Sequence, residues 1–162
     1  SYVALKDQTD FPHELVIIGP KNKNIFKSVD IESQDDIVTP GFVTEGELKY
    51  AYEHADVFVF PSLYEGFGLP PLEALACGTP AVSSETTALG EILQEGCIKI
   101  DPEEVQQITN AIIQILENEQ LAEELSTQGK AYARKFTWEN ATEQLRDALS
   151  KTTEYGSASY IT

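Results

Sequence analysis

The sequence predicts an α/β fold: a three-layer, doubly wound parallel sheet with helices on both faces. Two observations carry this. Short apolar runs rich in β-branched and aromatic residues recur as "LVIIG" (15–19), "DVFVFPS" (56–62), "PAVSS" (80–84) and "CIKI" (97–100). Each is bounded by glycine, proline or polar residues, as buried strands are. Stretches of helical periodicity separate them, and strand–helix alternation returns the chain to pair its strands in parallel.

Taken in order, "SYVALKD" reads as the middle of a helix, so the chain is expected to be a fragment of a longer one. "LVIIG" is a buried strand, and "DDIVTPGFV" holds a weaker one around Ile37 and Val38. Thr44 with Glu47 three positions on is a capping-box pattern. It opens a helix whose Leu48, Ala51, Tyr52 and Ala55 share one face. Pro61 ends the strand "VFVF", and the next helix is expected from Pro70 to Cys77, with Gly78 and Pro80 as stop signals. After "PAVSS" come a short helix in "TALGEIL" and the strand "CIKI". Asp101 is expected to cap a helix with Pro102 first and Glu104 third, its apolar stripe being Val105, Ile108, Ile112, Ile115 and Leu116. Two further helices are read around "LAEELSTQGKAYARKF" and "TWENATEQLRDALS", with Trp138 packing the last one on the domain. Residues 1–150 form the domain, and 151–162 are a tail without periodicity.

A chain of 162 residues, 41% hydrophobic, suits one domain with a full core. The net charge of −16, from 27 acids against 11 bases, repels a nucleic-acid backbone, and no basic stripe offsets it. No apolar run approaches the roughly 20 residues of a membrane helix. Cys77 and Cys97 lack metal-ligand spacing and read as reduced thiols of a cytoplasmic protein, with a single disulfide between them as the alternative. His13 and His54 lack partners for a triad or a metal, and Tyr64 reads as loop packing.

The stretch "PSLYEGFGLPPLEALACGTP" (61–80) is the candidate site. In open α/β sheets ligands bind beyond the carboxyl ends of strands, and this stretch joins a strand end to a helix start. Gly66 and Gly68 let the backbone turn sharply and approach a ligand closely. Pro70 and Pro71 start the helix, leaving N–H groups of the loop and first turn to face a phosphate. Glu73, expected in that first turn, offers a forked acceptor that matches a vicinal diol such as a ribose. Glu65 reaches another part of the same ligand, where sugar hydroxyls would donate to it.

"EGFGLPPLEALACGTPAV", preceded by "ADVFVFPS", resembles the signature of the retaining glycosyltransferases of family 4, which have the GT-B fold, and Glu65 and Glu73 match their E-x7-E motif. The similarity spreads over "ELVIIGP", "IVTPGFVTEGELKYAYEHADVFVFPS", "GEILQEGCIKIDPEEVQQITNAI" and "ARKFTWENATEQL", from about residue 1 to 150. It implies a Rossmann-like, nucleotide-sugar-binding C-terminal half of a GT-B enzyme. By this resemblance Glu73 holds the ribose of a UDP- or GDP-linked donor, and Glu65 contacts the transferred sugar near its reacting carbon. Gly66, Phe67, Gly68 and Leu69 offer N–H groups to sugar and diphosphate, while Phe42 and Val43 line the base pocket. No cofactor and no metal are implied. "VSSETTALGEI" is more similar to the mannosyltransferase members.

The resemblance also implies an Arg and a Lys on the diphosphate, upstream of the segment similar to "YVALKD"; Lys6 matches neither. An N-terminal domain would supply a glycan or lipid-linked acceptor, with the parent enzyme cytoplasmic or peripheral at the membrane. The isolated chain is therefore expected to be inactive. Lys21 and Lys23 read as an ordinary charged loop. The alternative is a non-catalytic nucleotide-binding or scaffold module, against which the intact glutamate pair argues. A receiver-like domain fails, because "SQDD" precedes its strand instead of following it.

Overall fold

The structure is a computed structural model describing residues 1–20 and 36–156. The elements run α1 (Tyr2–Gln8), β1 (Leu15–Ile18), β2 (Ile37–Gly41), α2 (Glu45–His54), β3 (Phe58–Phe60), α3 (Leu69–Cys77), β4 (Ala81–Ser84), α4 (Thr87–Ile92), β5 (Cys97–Ile100), α5 (Val105–Glu117), α6 (Glu119–Ala133) and α7 (Trp138–Gly156). Every strand pair is parallel: β1 with β2, and β3, β4 and β5 side by side with β4 in the middle.

The layers follow from alternation along β4. Ala81 packs with Leu72 and Leu75 of α3, Leu89 of α4, Leu93 and Tyr132. Its neighbour Val82 packs with Leu5 of α1, Ile100, and Ile108, Ala111, Ile112 and Ile115 of α5. Successive strand residues face opposite ways, so the sheet has helices on both sides, as the sequence predicts. Of the expected stripe of α5, Ile108, Ile112 and Ile115 are buried, Leu116 is half-buried and Val105 is exposed.

Three caps and anchors hold the elements in register. Thr44 and Glu47 form the expected capping box: the Thr44 N–H donates to Glu47 Oε2 at 2.7 Å and the Glu47 N–H to Thr44 Oγ1 at 3.3 Å. The Thr44 hydroxyl also donates to Glu47 Oε2, at 2.8 Å, and the two bonds that Thr44 donates to that oxygen hold the Glu47 carboxyl below its ordinary pKa. Gly78 takes φ +94 after α3 and donates to the carbonyls of Ala74 and Leu75, as a left-handed C-terminal glycine does. Lys6 pairs with Asp36 at 2.9 Å and donates to the Phe11 carbonyl, so it ties α1 to the start of β2.

Several expectations change. β1 is not fully buried: Val16 is 51% exposed and its register partner Val38 41%, because that face of the β1–β2 pair is half open among the described residues. β2 runs on through Pro40 to Gly41, a position proline tolerates at a sheet edge. α5 starts at Val105, later than expected, because Asp101 closes a turn instead of capping the helix. Its Oδ1 accepts from the Glu103 N–H at 3.0 Å and its carbonyl from the Glu104 N–H at 3.1 Å. α7 continues to Gly156, past the residue 150 boundary where the tail was placed. Trp138 does not pack on the domain. It is 87% exposed, and the other α7 side chains through Lys151 are exposed with it. Tyr64 is likewise exposed. Lys21 and Lys23 lie outside the described residues.

Both cysteines are free thiols, and burial pushes the Cys97 thiol up to about 11. No described helix is long and apolar enough to cross a membrane.

One close approach fixes α6 against the sheet. Gly96, at φ +79 just before β5, lies so near Gly129 of α6 that an added Cβ would collide with the Gly129 backbone. A Gly96→Ala substitution is expected to lower the unfolding free energy by about 3 kcal/mol, from backbone strain plus overpacking. An unchanged urea midpoint would contradict that packing.

Candidate functional site

The candidate site is the loop and helix start that follow β3. Gly68 caps α3 in a left-handed conformation, φ +99 and ψ +48, and its carbonyl accepts from the Leu72 N–H at 3.4 Å. An added Cβ there would lie 2.5 Å from Leu89 Cδ2, so α4 walls the turn closely. Pro70 and Pro71 carry no N–H. Among the described residues, the N–H groups of Gly66, Phe67, Gly68 and Leu69 make no hydrogen bond to a protein acceptor. They form a short donor row at a helix N-terminus, a geometry that suits an anion.

The two carboxylates flank that row. Glu65 is half-buried, and Ser62 Oγ donates to its Oε1 at 3.0 Å. The Ser62 carbonyl accepts from Thr86 Oγ1 at 3.5 Å, tying the loop to the N-cap of α4. Glu73 is exposed and lies in the second turn of α3, not the first. The helix starts at Leu69 because the left-handed Gly68 serves as its cap. Glu73 therefore stands one turn above the donor row, on the same helix.

The partner of Glu73 was not read from sequence. Tyr52 Oη donates to Glu73 Oε2 at 3.3 Å. Tyr52 is only 8% exposed; its ring meets Phe58 edge-on, centroids 5.4 Å apart, and its carbonyl accepts from the Thr79 hydroxyl. Burial, then the charge of Glu73, raises the phenol's pKa, so the hydroxyl stays protonated and keeps donating. The available signal was that a buried tyrosine needs a partner for its hydroxyl. The helical period puts Tyr52 on one face with Leu48, Ala51 and Ala55, which says nothing of what its hydroxyl meets.

The remaining predicted residues are distributed unevenly. Phe67 on the loop and Leu69 at the start of α3 are exposed, and Phe67 meets Phe136 edge-on at 6.3 Å. Phe42 is 84% exposed and Val43 half-buried, both just before the N-cap of α2. That is the opposite end of α2 from Tyr52, about 12 Å along the axis. Among the described residues no hydrogen bond or ring contact joins Phe42 or Val43 to Glu65 or Glu73. His13 Nε2 lies 3.7 Å from Asp56, and His54 stacks on Tyr50. The described residues hold no cluster of His, Cys, Asp and Glu that would grip a metal.

Residues 2–132 match the family described as glycosyl transferases group 1. The O-antigen chain mannosyltransferase B of Escherichia coli is 43% identical over 108 residues, covering 67% of this chain and 28% of that protein. Sucrose-phosphate synthase of Thermosynechococcus elongatus superposes with a TM-score of 0.76 at 25% identity, over 95% of this chain and 42% of that one. The Anabaena protein HepE, solved with UDP-glucose, does so with a TM-score of 0.78 at 19% identity, over 92% of this chain and 44% of that one. The chain thus spans less than half the length of each of these proteins, and its architecture is that of the C-terminal half of a GT-B fold.

The two loop glycines should respond differently to alanine. Gly68→Ala is expected to cost about 2 kcal/mol, from left-handed strain and the contact with Leu89. Gly66 has open space around it and no positive φ, so Gly66→Ala should stay within about 0.5 kcal/mol of the parent. Urea unfolding separates the two, and equal losses would contradict the cap assigned to Gly68.

Proposed function

This chain belongs to the glycosyl transferases group 1, and on that premise we propose that it is the donor-binding domain of a retaining, family 4 enzyme. The parent enzyme moves a hexose, mannose or glucose, from a UDP- or GDP-linked donor to a glycan or lipid-linked acceptor. The observation that carries the proposal is the row of unengaged N–H groups from Gly66 to Leu69, flanked by two carboxylates that other side chains hold in place.

The chemistry assigns each part a task. The diphosphate sits on the N–H row, where the helix dipole favours negative charge. That local field matters because the chain as a whole carries −16. Glu73 forks onto the ribose hydroxyls. Glu65, beside the glycines, faces the transferred sugar near the carbon that changes partner. Phe42 and Val43 border the base. Rate enhancement comes from positioning and from stabilising the departing nucleoside diphosphate, with departure and attack on one face of the sugar, and without a metal.

The identity of the mannosyltransferase relative supports mannose, and the UDP-glucose held by HepE supports a nucleotide-sugar donor. A lipid-linked acceptor would put the parent enzyme at the cytoplasmic face of a membrane.

Titration calorimetry with UDP and GDP tests the assignment. Glu73→Ala is expected to weaken the nucleotide that binds by about tenfold or more, since it removes charged hydrogen bonds, and Glu65→Ala by less. Equal or reversed losses would refute the division of roles. The 162-residue chain alone is expected to show no robust sugar transfer; vigorous turnover by it would overturn the need for a second domain.

A further inference from the structure

We infer that Tyr52 is a positioning residue: its hydroxyl occupies one acceptor site on Glu73 Oε2 and so presents the rest of that carboxylate to the paired hydroxyls of a ribonucleotide. This rests on the ribose role proposed for Glu73.

Three observations carry it. First, the two residues lie on different elements, α2 and α3, and their one polar link is Tyr52 Oη to Glu73 Oε2 at 3.3 Å. Second, Tyr52 cannot easily move. Its ring is buried and set edge-on against Phe58, and its carbonyl accepts the Thr79 hydroxyl, just beyond the C-terminus of α3. The donor is thus fixed at two points: to the sheet through Phe58 and to the segment after Glu73's own helix through Thr79. Third, the stoichiometry leaves room for a ligand. A carboxylate has about four acceptor positions on two oxygens. Tyr52 takes one, on Oε2, and leaves Oε1 and the second position of Oε2 for a diol.

An unsupported glutamate on an exposed helix face samples several rotamers, and binding must then select one. A buried phenol that donates to one oxygen narrows that choice before the ligand arrives. The raised phenol pKa keeps the donor in its protonated form across the neutral range.

The test compares ribonucleotides with analogues lacking the diol. UDP, GDP and their 2′,3′-dideoxy counterparts are titrated into the parent chain, Tyr52→Phe and Glu73→Ala. Tyr52→Phe keeps the ring and its contact with Phe58, so it should fold, and a melting curve checks this. The parent is expected to prefer the ribonucleotide by about tenfold or more. Tyr52→Phe should lose about fivefold of that preference, all of it from weaker ribonucleotide binding, with the dideoxy affinity unchanged. In the Glu73→Ala background Tyr52→Phe should have no further effect. If Tyr52→Phe weakens both nucleotides alike, or changes neither, the positioning role is overturned and Tyr52 is core packing alone. If Glu73→Ala keeps the ribose preference, or the parent shows none, the ribose reading fails first, and the positioning role falls with it.

Discussion

The seat of Leu75 is the contact on which the site depends. Leu75 is fully buried on α3, and it packs where Gly129 of α6 meets Gly96 before β5. Only glycines allow the two backbones to come so near, and Leu75 fills the space they leave beside them. Leu72 and Ala74 bury the same helix further. With α3 held this way, its N-terminus has one position and one direction. The donor row of Gly66 to Leu69 and the carboxylate of Glu73 inherit both. A helix of this length would be marginal by itself, so it is packing, and not propensity, that holds its N-terminus in place.

The second consequence is electrical. A chain with 27 acids and 11 bases is a poor attractor of a nucleoside diphosphate at long range. Whatever attraction exists must act within a few ångströms, through N–H groups and the end of a helix dipole. The same logic explains why both site carboxylates have a neutral hydroxyl donor, Ser62 for Glu65 and Tyr52 for Glu73. A neutral donor orients a carboxylate without itself cancelling the charge, and in the proposed function that charge is what sugar and ribose hydroxyls would donate to.

Most of the fold was legible because its signals are local. The strand–helix alternation, the Thr44–Glu47 capping box and the stop at Gly78 each depend on residues a few positions apart, and each appears where the sequence puts it. The failures have different causes. Glu73 falls in the second turn of α3 because the helix begins at Leu69, one residue before the prolines suggest, after a left-handed Gly68 cap. Asp101 has the residues of a helix cap but spends its side chain on a turn. Trp138 belongs to an amphipathic pattern that shows a helix has an apolar side, yet says nothing of whether this chain covers it. The Tyr52–Glu73 bond spans 21 positions and two elements; only the packing of α2 on α3 brings it about. The glutamates, the glycines and their spacing could be read in advance; the hydroxyls that hold the glutamates could not.

The central claim is that one nucleotide sugar lies along α3's N-terminus, phosphates on the donor row and ribose on Glu73. A crystal structure of this chain with UDP-glucose or GDP-mannose tests it most directly. The account predicts the diphosphate within hydrogen-bond distance of the Gly66 to Leu69 N–H groups and both ribose hydroxyls on Glu73, with Tyr52 still on Oε2. A nucleotide bound elsewhere, or in the same cleft with its ribose turned away from Glu73, would contradict it.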